Sequence, residues 1–182
     1  MASVVVIYHS GYGHTTKQAE AVAKGAGAEL IAISSEGEIS DADWAKLDAA
    51  KAIIFGSPTY MGSVSWQFKK FAEASSKIWF TQGWKNKVFA GFTNSASLNG
   101  DKGSTISYLI TLAMQHSGVW VGTGLMPANT KAATRLDVNS LGSFSGALMA
   151  TPSDAGVDEV NVADLETARL LGVRVAEFAT KA

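Results

Sequence analysis

Apolar positions along the chain fall into two patterns: short unbroken runs, and longer stretches where they recur every three or four residues. The first run, Val4-Val5-Val6-Ile7-Tyr8-His9, is β-branched and shows no polar alternation. It predicts a strand buried on both faces, as in a parallel sheet covered by helices on each side. A glycine- and hydroxyl-rich turn follows, Ser10-Gly11-Tyr12-Gly13-His14-Thr15-Thr16, and then Ala19, Val22, Ala23 and Ala26 mark one stripe of a helix. Gly25 and Gly27 end that helix, and residues 28–33 predict a second strand. Ser40 ahead of Asp41-Ala42-Asp43 reads as an N-cap followed by acids that complement the helix dipole. The short helix it opens buries Trp44 and Leu47, and residues 51–56 form a third strand.

The loop Ser57-Pro58-Thr59-Tyr60-Met61-Gly62-Ser63 leads into a helix with Phe68, Phe71, Ala72 and Ser75 on one side. A connection containing Trp79 and Trp84 precedes a fourth strand at 87–93 and a second polar loop at 94–100. A helix with Ile106, Leu109, Ile110 and Ala113 on one face then gives way to a short fifth strand at 118–121, with Trp120 in the core. Residues 122–160 lack periodicity and predict an ordered excursion; the last helix carries Leu165, Ala168, Leu171, Val175 and Phe178 on one face. Strands alternating with helices predict a single α/β domain over 1–182, a parallel sheet of five strands with helices on both faces. The loops after strands one, three and four share one end of that sheet, where ligands bind in folds of this class.

Composition narrows the chemistry. The 182 residues suffice for one domain with a substantial core, and a 47% hydrophobic, 17% charged chain folds compactly. A net charge of -1 without a basic stripe argues against nucleic acid as a partner. The absence of cysteine removes disulfides, thiolate nucleophiles and cysteine-ligated metals. No His-x-Glu or carboxylate cluster suggests a metal site. The apolar runs fall short of the ~20 residues a membrane span requires. With no targeting segment at the N-terminus, the expectation is a cytoplasmic protein.

The first loop offers backbone N–H groups and hydroxyls at a helix N-terminus, which together suit a phosphate without any basic side chain. A Walker loop would need Gly-Lys-Ser/Thr, and the dinucleotide pattern fails because Thr16 stands where its last glycine belongs. Each of the three loops has a plainer alternative as an ordinary strand-to-helix turn.

Taken together, the loop at 10–15, the run Gly56-Ser57-Pro58-Thr59-Tyr60-Met61-Gly62 and the run Thr93-Asn94-Ser95-Ala96-Ser97 resemble flavodoxin-like FMN proteins. The resemblance is strongest to the NAD(P)H:quinone oxidoreductases of the tryptophan-repressor-binding-protein type, and it spans nearly the whole chain. It implies a flavodoxin-like sheet in the order 2-1-3-4-5, FMN as cofactor and NAD(P)H as co-substrate. It further implies that Ser10, Gly11, Tyr12, Gly13, His14, Thr15 and Thr16 hold the FMN phosphate. Pro58, Thr59, Tyr60, Met61 and Gly62 would line one side of the isoalloxazine, and Thr93, Asn94, Ser95, Ala96 and Asn99 the other. His116 would stand near the reactive face of the ring. The implied function is hydride transfer from NAD(P)H to flavin N5 and two-electron reduction of a quinone, in a homodimer or homotetramer. Two alternatives stand beside it: a flavodoxin-type electron carrier, whose docking surface is usually strongly acidic, and a flavin-free regulatory or scaffold protein of the same fold.

Overall fold

The computed structural model describes residues 3–181. The all-apolar first run forms β1 (Val4–Tyr8), buried along its whole length, one strand in from an edge of the sheet. Its parallel neighbours are β2 (Glu29–Ala32) on one side and β3 (Ala52–Tyr60) on the other. Beyond β3 lies β5 (Val88–Ser95), also parallel, and β6 (Val119–Trp120) extends the path to the order β2-β1-β3-β5-β6. Side chains of β1 alternate between two cores. Val4, Val6 and Tyr8 face α1 (His14–Ala26) and α6 (Val162–Ala179). Val5 and Ile7 face α2 (Asp41–Ala49), α3 (Trp66–Ala74) and α5 (Lys102–Gln115).

The five expected sheet positions occur in the expected order, but seven strand segments fill them. Residues 57–60 continue β3 past the predicted end of the strand. The chain then folds back on itself as β4 (Ser63–Val64), antiparallel to β3 through a two-residue turn. Met61 and Gly62, at φ 48 and 79, supply the two left-handed positions that such a turn requires. The second difference lies in the fifth position. β6 pairs only with Val88 and Phe89, after which residues 121–146 leave the sheet. The chain returns as β7 (Ala147–Ala150), parallel to β5 at Phe92 to Ser95. The predicted excursion therefore interrupts one strand instead of following it, and the second half of that strand ends beside the polar loops.

Helix boundaries depart from the sequence reading at Gly25, which is interior to α1. Only Gly27, left-handed at φ 60, caps the helix. A Cβ on Gly25 would lie 1.9 Å from the Arg169 carbonyl oxygen, and one on Gly172 would lie 2.1 Å from that of Val22. The two glycines let α1 and α6 cross backbone to backbone. Ser40 caps α2 as expected, accepting from the Asp43 N–H at 3.2 Å. The short helix α4 (Ser76–Phe80) interrupts the tryptophan-containing connection. Trp84 leaves that connection for the core, fully buried, and its Nε1 donates to Asp48 at 2.7 Å. Trp120 is only half-buried, its Nε1 donating to the Ser145 carbonyl.

Candidate functional site

At the carboxyl end of the sheet, a cleft of about 360 Å³ opens between the segments that follow β1, β3, β5 and β7. It is lined by Ser10, Tyr12, His14, Thr15, Pro58, Thr59, Tyr60, Asn94, Ser95, Ala96, Thr151 and Ser153, none of them a carboxylate, lysine or arginine. The volume suits a small-molecule ligand.

The 10–16 loop forms the floor at the N-terminus of α1. Ser10 Oγ accepts from the N–H groups of Gly13 at 3.1 Å and Thr16 at 3.3 Å, so the loop is tied before any ligand arrives. Gly13 is left-handed at φ 90 and makes no side-chain cap on the helix. Among the described residues, the N–H groups of Tyr12, His14 and Thr15 have no partner. Together with the dipole of α1, they make a local positive field without a basic side chain. His14 Nε2 donates to the Ala155 carbonyl at 3.0 Å, which fixes the ring against the segment after β7. Lys17 and Asp158 close the same contact on the outside, at 2.7 Å.

The two walls are built differently. On the β3 side, Pro58 and Thr59 are held by sheet pairing, and Thr59 Oγ1 lies 2.8 Å from both Thr93 Oγ1 and Thr105 Oγ1. Tyr60 sits at the rim, its ring 6.3 Å from that of Tyr12 at an interplanar angle of 76°. Burial and the neighbouring Tyr12 hold its phenol above its ordinary pKa, so it stays neutral. On the β5 side stand Asn94, Ser95 and Ala96. Asn94 Oδ1 and Thr151 Oγ1 are buried atoms at the cleft without a hydrogen-bond partner. A native fold rarely leaves two such atoms together unless something else satisfies them.

The residues expected at the site divide accordingly. Ten of them line the cleft: Ser10, Tyr12, His14, Thr15, Pro58, Thr59, Tyr60, Asn94, Ser95 and Ala96. Gly11 lies beneath Tyr60, whose hydroxyl a Cβ there would meet at 2.6 Å, while Gly13 and Thr16 shape the floor from behind. Thr93 is fully buried under Thr59. Met61 projects into solvent, and Gly62 serves the β3–β4 turn. Asn99 lies away from the cleft, its Oδ1 accepting from the Asp101 N–H ahead of α5.

His116 is not brought to the cleft. It caps the far end of α5, and α5 starts at the cleft end of the sheet, so a whole helix separates them. Its Nε2 lies 2.9 Å from Ser75 Oγ, its ring packs 4.5 Å from that of Trp84, and burial lowers its pKa. Burial thus favours the neutral imidazole, and its Nδ1 is buried without a hydrogen-bond partner. Thr151 and Ser153 were not anticipated. Their signal is the pattern seen at the other loops, an apolar run (Ala147-Leu148-Met149-Ala150) followed by hydroxyls, in a form only four residues long.

The donor set fits FMN: unpaired N–H groups and hydroxyls for a phosphate at the helix N-terminus, and orphaned polar atoms in the wall that would meet the edge of a polar ring. Comparison with known proteins leads to the same cofactor. The model of the NADPH-dependent FMN reductase family matches residues 13–132. A flavodoxin of Pseudomonas aeruginosa, FldP, is 56% identical over 178 residues, covering 98% of this chain and 97% of its own length. An NAD(P)H dehydrogenase (quinone) of Sinorhizobium fredii is 34% identical over 201 residues, covering 100% of this chain and 98% of its own. The crystal structure of a flavodoxin, a WrbA-like protein from Agrobacterium tumefaciens, superposes with a TM-score of 0.84 at 52% identity, covering 100% and 99% of the two chains. The chain belongs to the NADPH-dependent FMN reductase family and, within it, to the flavodoxin-like flavoproteins of the WrbA type, with FMN as cofactor.

Proposed function

We propose that this protein is an FMN-dependent NAD(P)H:quinone oxidoreductase. The observation that carries the reading is the open aromatic rim of the cleft. Tyr12 is 77% exposed and Tyr60 37%, and they stand edge to face above a site whose floor and walls are already tied by hydrogen bonds. Such a rim suits a second planar molecule entering after the first. When bound, FMN supplies the chemistry, taking a hydride from the nicotinamide and passing two electrons to the quinone.

The chain's own residues bind and orient. The N–H groups of Tyr12, His14 and Thr15, with the hydroxyls of Ser10 and Thr15, hold the phosphate. Asn94 Oδ1 would accept from the ring edge and Thr151 Oγ1 would donate to or accept from it, which would satisfy both orphaned atoms. Pro58 and Thr59 would flank the ring from the β3 side, in a cleft lined by no carboxylate, lysine or arginine. We assign the exposed Trp79, Phe80 and Phe144 to contacts between copies of the chain in a homodimer or homotetramer. A monomeric mass in solution at micromolar concentration would remove that part.

A second reading is favoured by the 56% identity to FldP: a flavodoxin acting as electron carrier. Near-neutral net charge supplies less electrostatic docking than such a carrier uses. Anaerobic mixing of the FMN-loaded protein with NADH and with NADPH separates the two. Bleaching of the flavin band, reversed by added benzoquinone, supports the enzyme; no reduction by either nucleotide assigns the chain to the carriers.

A further inference from the structure

Lys102 is the first residue of α5, and its side chain is out of water, with 1% of its surface exposed. Both facts oppose it. A cation at a helix N-terminus meets the positive end of the dipole, and burying a charge is costly unless it is closely paired. The compensation comes from the 95–97 segment: Lys102 Nζ donates to Ser95 Oγ at 2.7 Å and to the Ser97 carbonyl at 2.6 Å. Ser95 Oγ in turn donates to the Ser97 carbonyl at 3.2 Å, closing a small network around the ammonium. The backbone is shaped to make this possible. Gly100 and Asp101 are both left-handed, at φ 53 and 52, and turn the chain so that Lys102 reaches back. A Cβ on Gly100 would crowd Ser95, at 2.1 Å from its Oγ and 2.9 Å from its Cβ, and would disturb the hydroxyl that the ammonium holds.

The loop tied in this way is a wall of the cleft. Ser95 and Ala96 line it on the side where Asn94 Oδ1 stands unpaired. Nothing else in the mechanism uses the ammonium. The carboxylate behind it, Asp164 of α6, is already engaged: it accepts two bonds from Arg135, at 2.9 and 2.6 Å, and one from the Ala150 N–H at 3.1 Å. The short hydrogen bonds of Lys102 go to the loop.

We propose that Lys102 is a positioning residue for the flavin cleft, its buried ammonium holding Ser95, Ala96 and Ser97 in the shape that receives the isoalloxazine edge. The inference rests on FMN occupying this cleft. Burial brings the Lys102 pKa down to about 8, opposed by Asp164 and reinforced by Arg135 of the 121–146 segment, the two charged groups that face it. The ammonium therefore titrates near neutrality, and charge-assisted bonds to the loop weaken as it does. The loop shape that receives the ring edge is the one the ammonium holds through Ser95 and Ser97, so FMN binding favours the protonated lysine. By reciprocity, raising the pH through about 8 weakens FMN binding.

The fold itself responds with the opposite sign. The lysine's folded pKa lies below its ordinary 10.5, so between about pH 8 and 10.5 the unfolded chain binds more protons than the folded one. This group's contribution to stability thus rises with pH across the window in which cofactor affinity falls. A purely structural lysine would not separate the two.

The test is titration of FMN into flavin-free wild type, Lys102→Met and Lys102→Gln, followed by quenching of flavin fluorescence from about pH 6.5 to about 9.5. Thermal unfolding of the flavin-free proteins is measured alongside. Wild type is expected to lose affinity several-fold across the range. Lys102→Met binds FMN about three- to tenfold more weakly at neutral pH, without that pH dependence, in a protein whose melting temperature has not fallen. Lys102→Gln, which keeps a donor without the charge, lies between them and is likewise flat with pH. Calorimetry at about pH 8 adds a readout independent of affinity: wild type takes up as much as about half a proton on binding FMN, and Lys102→Met takes up none. Wild-type affinity and an unchanged pH profile in both variants overturn the proposal while leaving the cofactor reading intact. A wild type that leaves FMN free at every pH overturns both.

Discussion

At the scale of single residues, the orphaned atoms are the most informative feature of the cleft. Thr151 Oγ1 is buried without a partner, so deleting it removes nothing from the fold and everything it offers a ligand. Thr151→Val should therefore leave the melting temperature of the flavin-free protein unchanged or slightly raised and weaken FMN binding by about three- to tenfold, the worth of one hydrogen bond. Unchanged affinity by fluorescence titration would place the ring edge elsewhere. Single residues also show what the sequence could disclose. The Ser40 cap and the turn at 10–16 between β1 and α1 are readable because caps and strand-to-helix turns are local patterns. His116, Asn99 and Trp84 are not, because a residue type at a helix end or in a connection carries no information about which end of the sheet it reaches. His116 has the chemistry of a catalytic group and the position of a C-cap.

Among the secondary-structure elements, the α1–α6 crossing depends on two small residues. Gly172 is interior to α6, where glycine costs roughly 1 kcal/mol relative to alanine in an isolated helix, so local propensity alone favours Gly172→Ala. The packing reverses that sign. The added methyl would stand 2.1 Å from the Val22 carbonyl oxygen, part of a backbone that has no rotamer to yield. Separating the helices would open the core of Ala19, Val22, Ala168 and Leu171, at a cost of about 1–3 kcal/mol. For a chain of this length that corresponds to a melting temperature lower by several degrees, about 2–4 °C per kcal/mol. A melting temperature equal to or above wild type in calorimetry would mean the crossing relaxes freely. The same crossing explains why Gly25 reads in sequence as a helix end: only the partner helix reveals that a glycine is needed for space. The split fifth strand was hidden for a related reason. Ala147–Ala150 is four residues long, too short for periodicity, and its pairing with β5 is fixed by the returning 121–146 segment. The continuation of β3 through Pro58 was masked by residues that locally favour a turn, which the sheet overrides by pairing them with Thr93 and Asn94.

For the molecule as a whole, the alternation of apolar runs and helical stripes discloses the layered sheet, because every strand buried on both faces must be covered twice. The cleft is less legible, since its four segments lie far apart in sequence and meet only when the sheet is assembled. That assembly makes ligand binding and global stability one equilibrium. In the proposed binding mode FMN bridges floor, walls and the segment after β7, all of which separate on unfolding. At about 100 times its dissociation constant, FMN should then add about 2.7 kcal/mol, a rise of about 5–11 °C in melting temperature. The division of that gain among ligands tests where it comes from. Riboflavin has the ring without the phosphate, and inorganic phosphate has only the group meant for the Ser10–Thr16 floor. If the unpaired N–H groups of Tyr12, His14 and Thr15 hold the phosphate, riboflavin at equal concentration gives a distinctly smaller rise than FMN, and inorganic phosphate gives a small, saturable one of its own. Equal stabilisation by riboflavin and FMN would strip the floor of its anion-binding role and leave the ring contacts of Pro58, Thr59, Asn94 and Thr151 to account for the whole affinity.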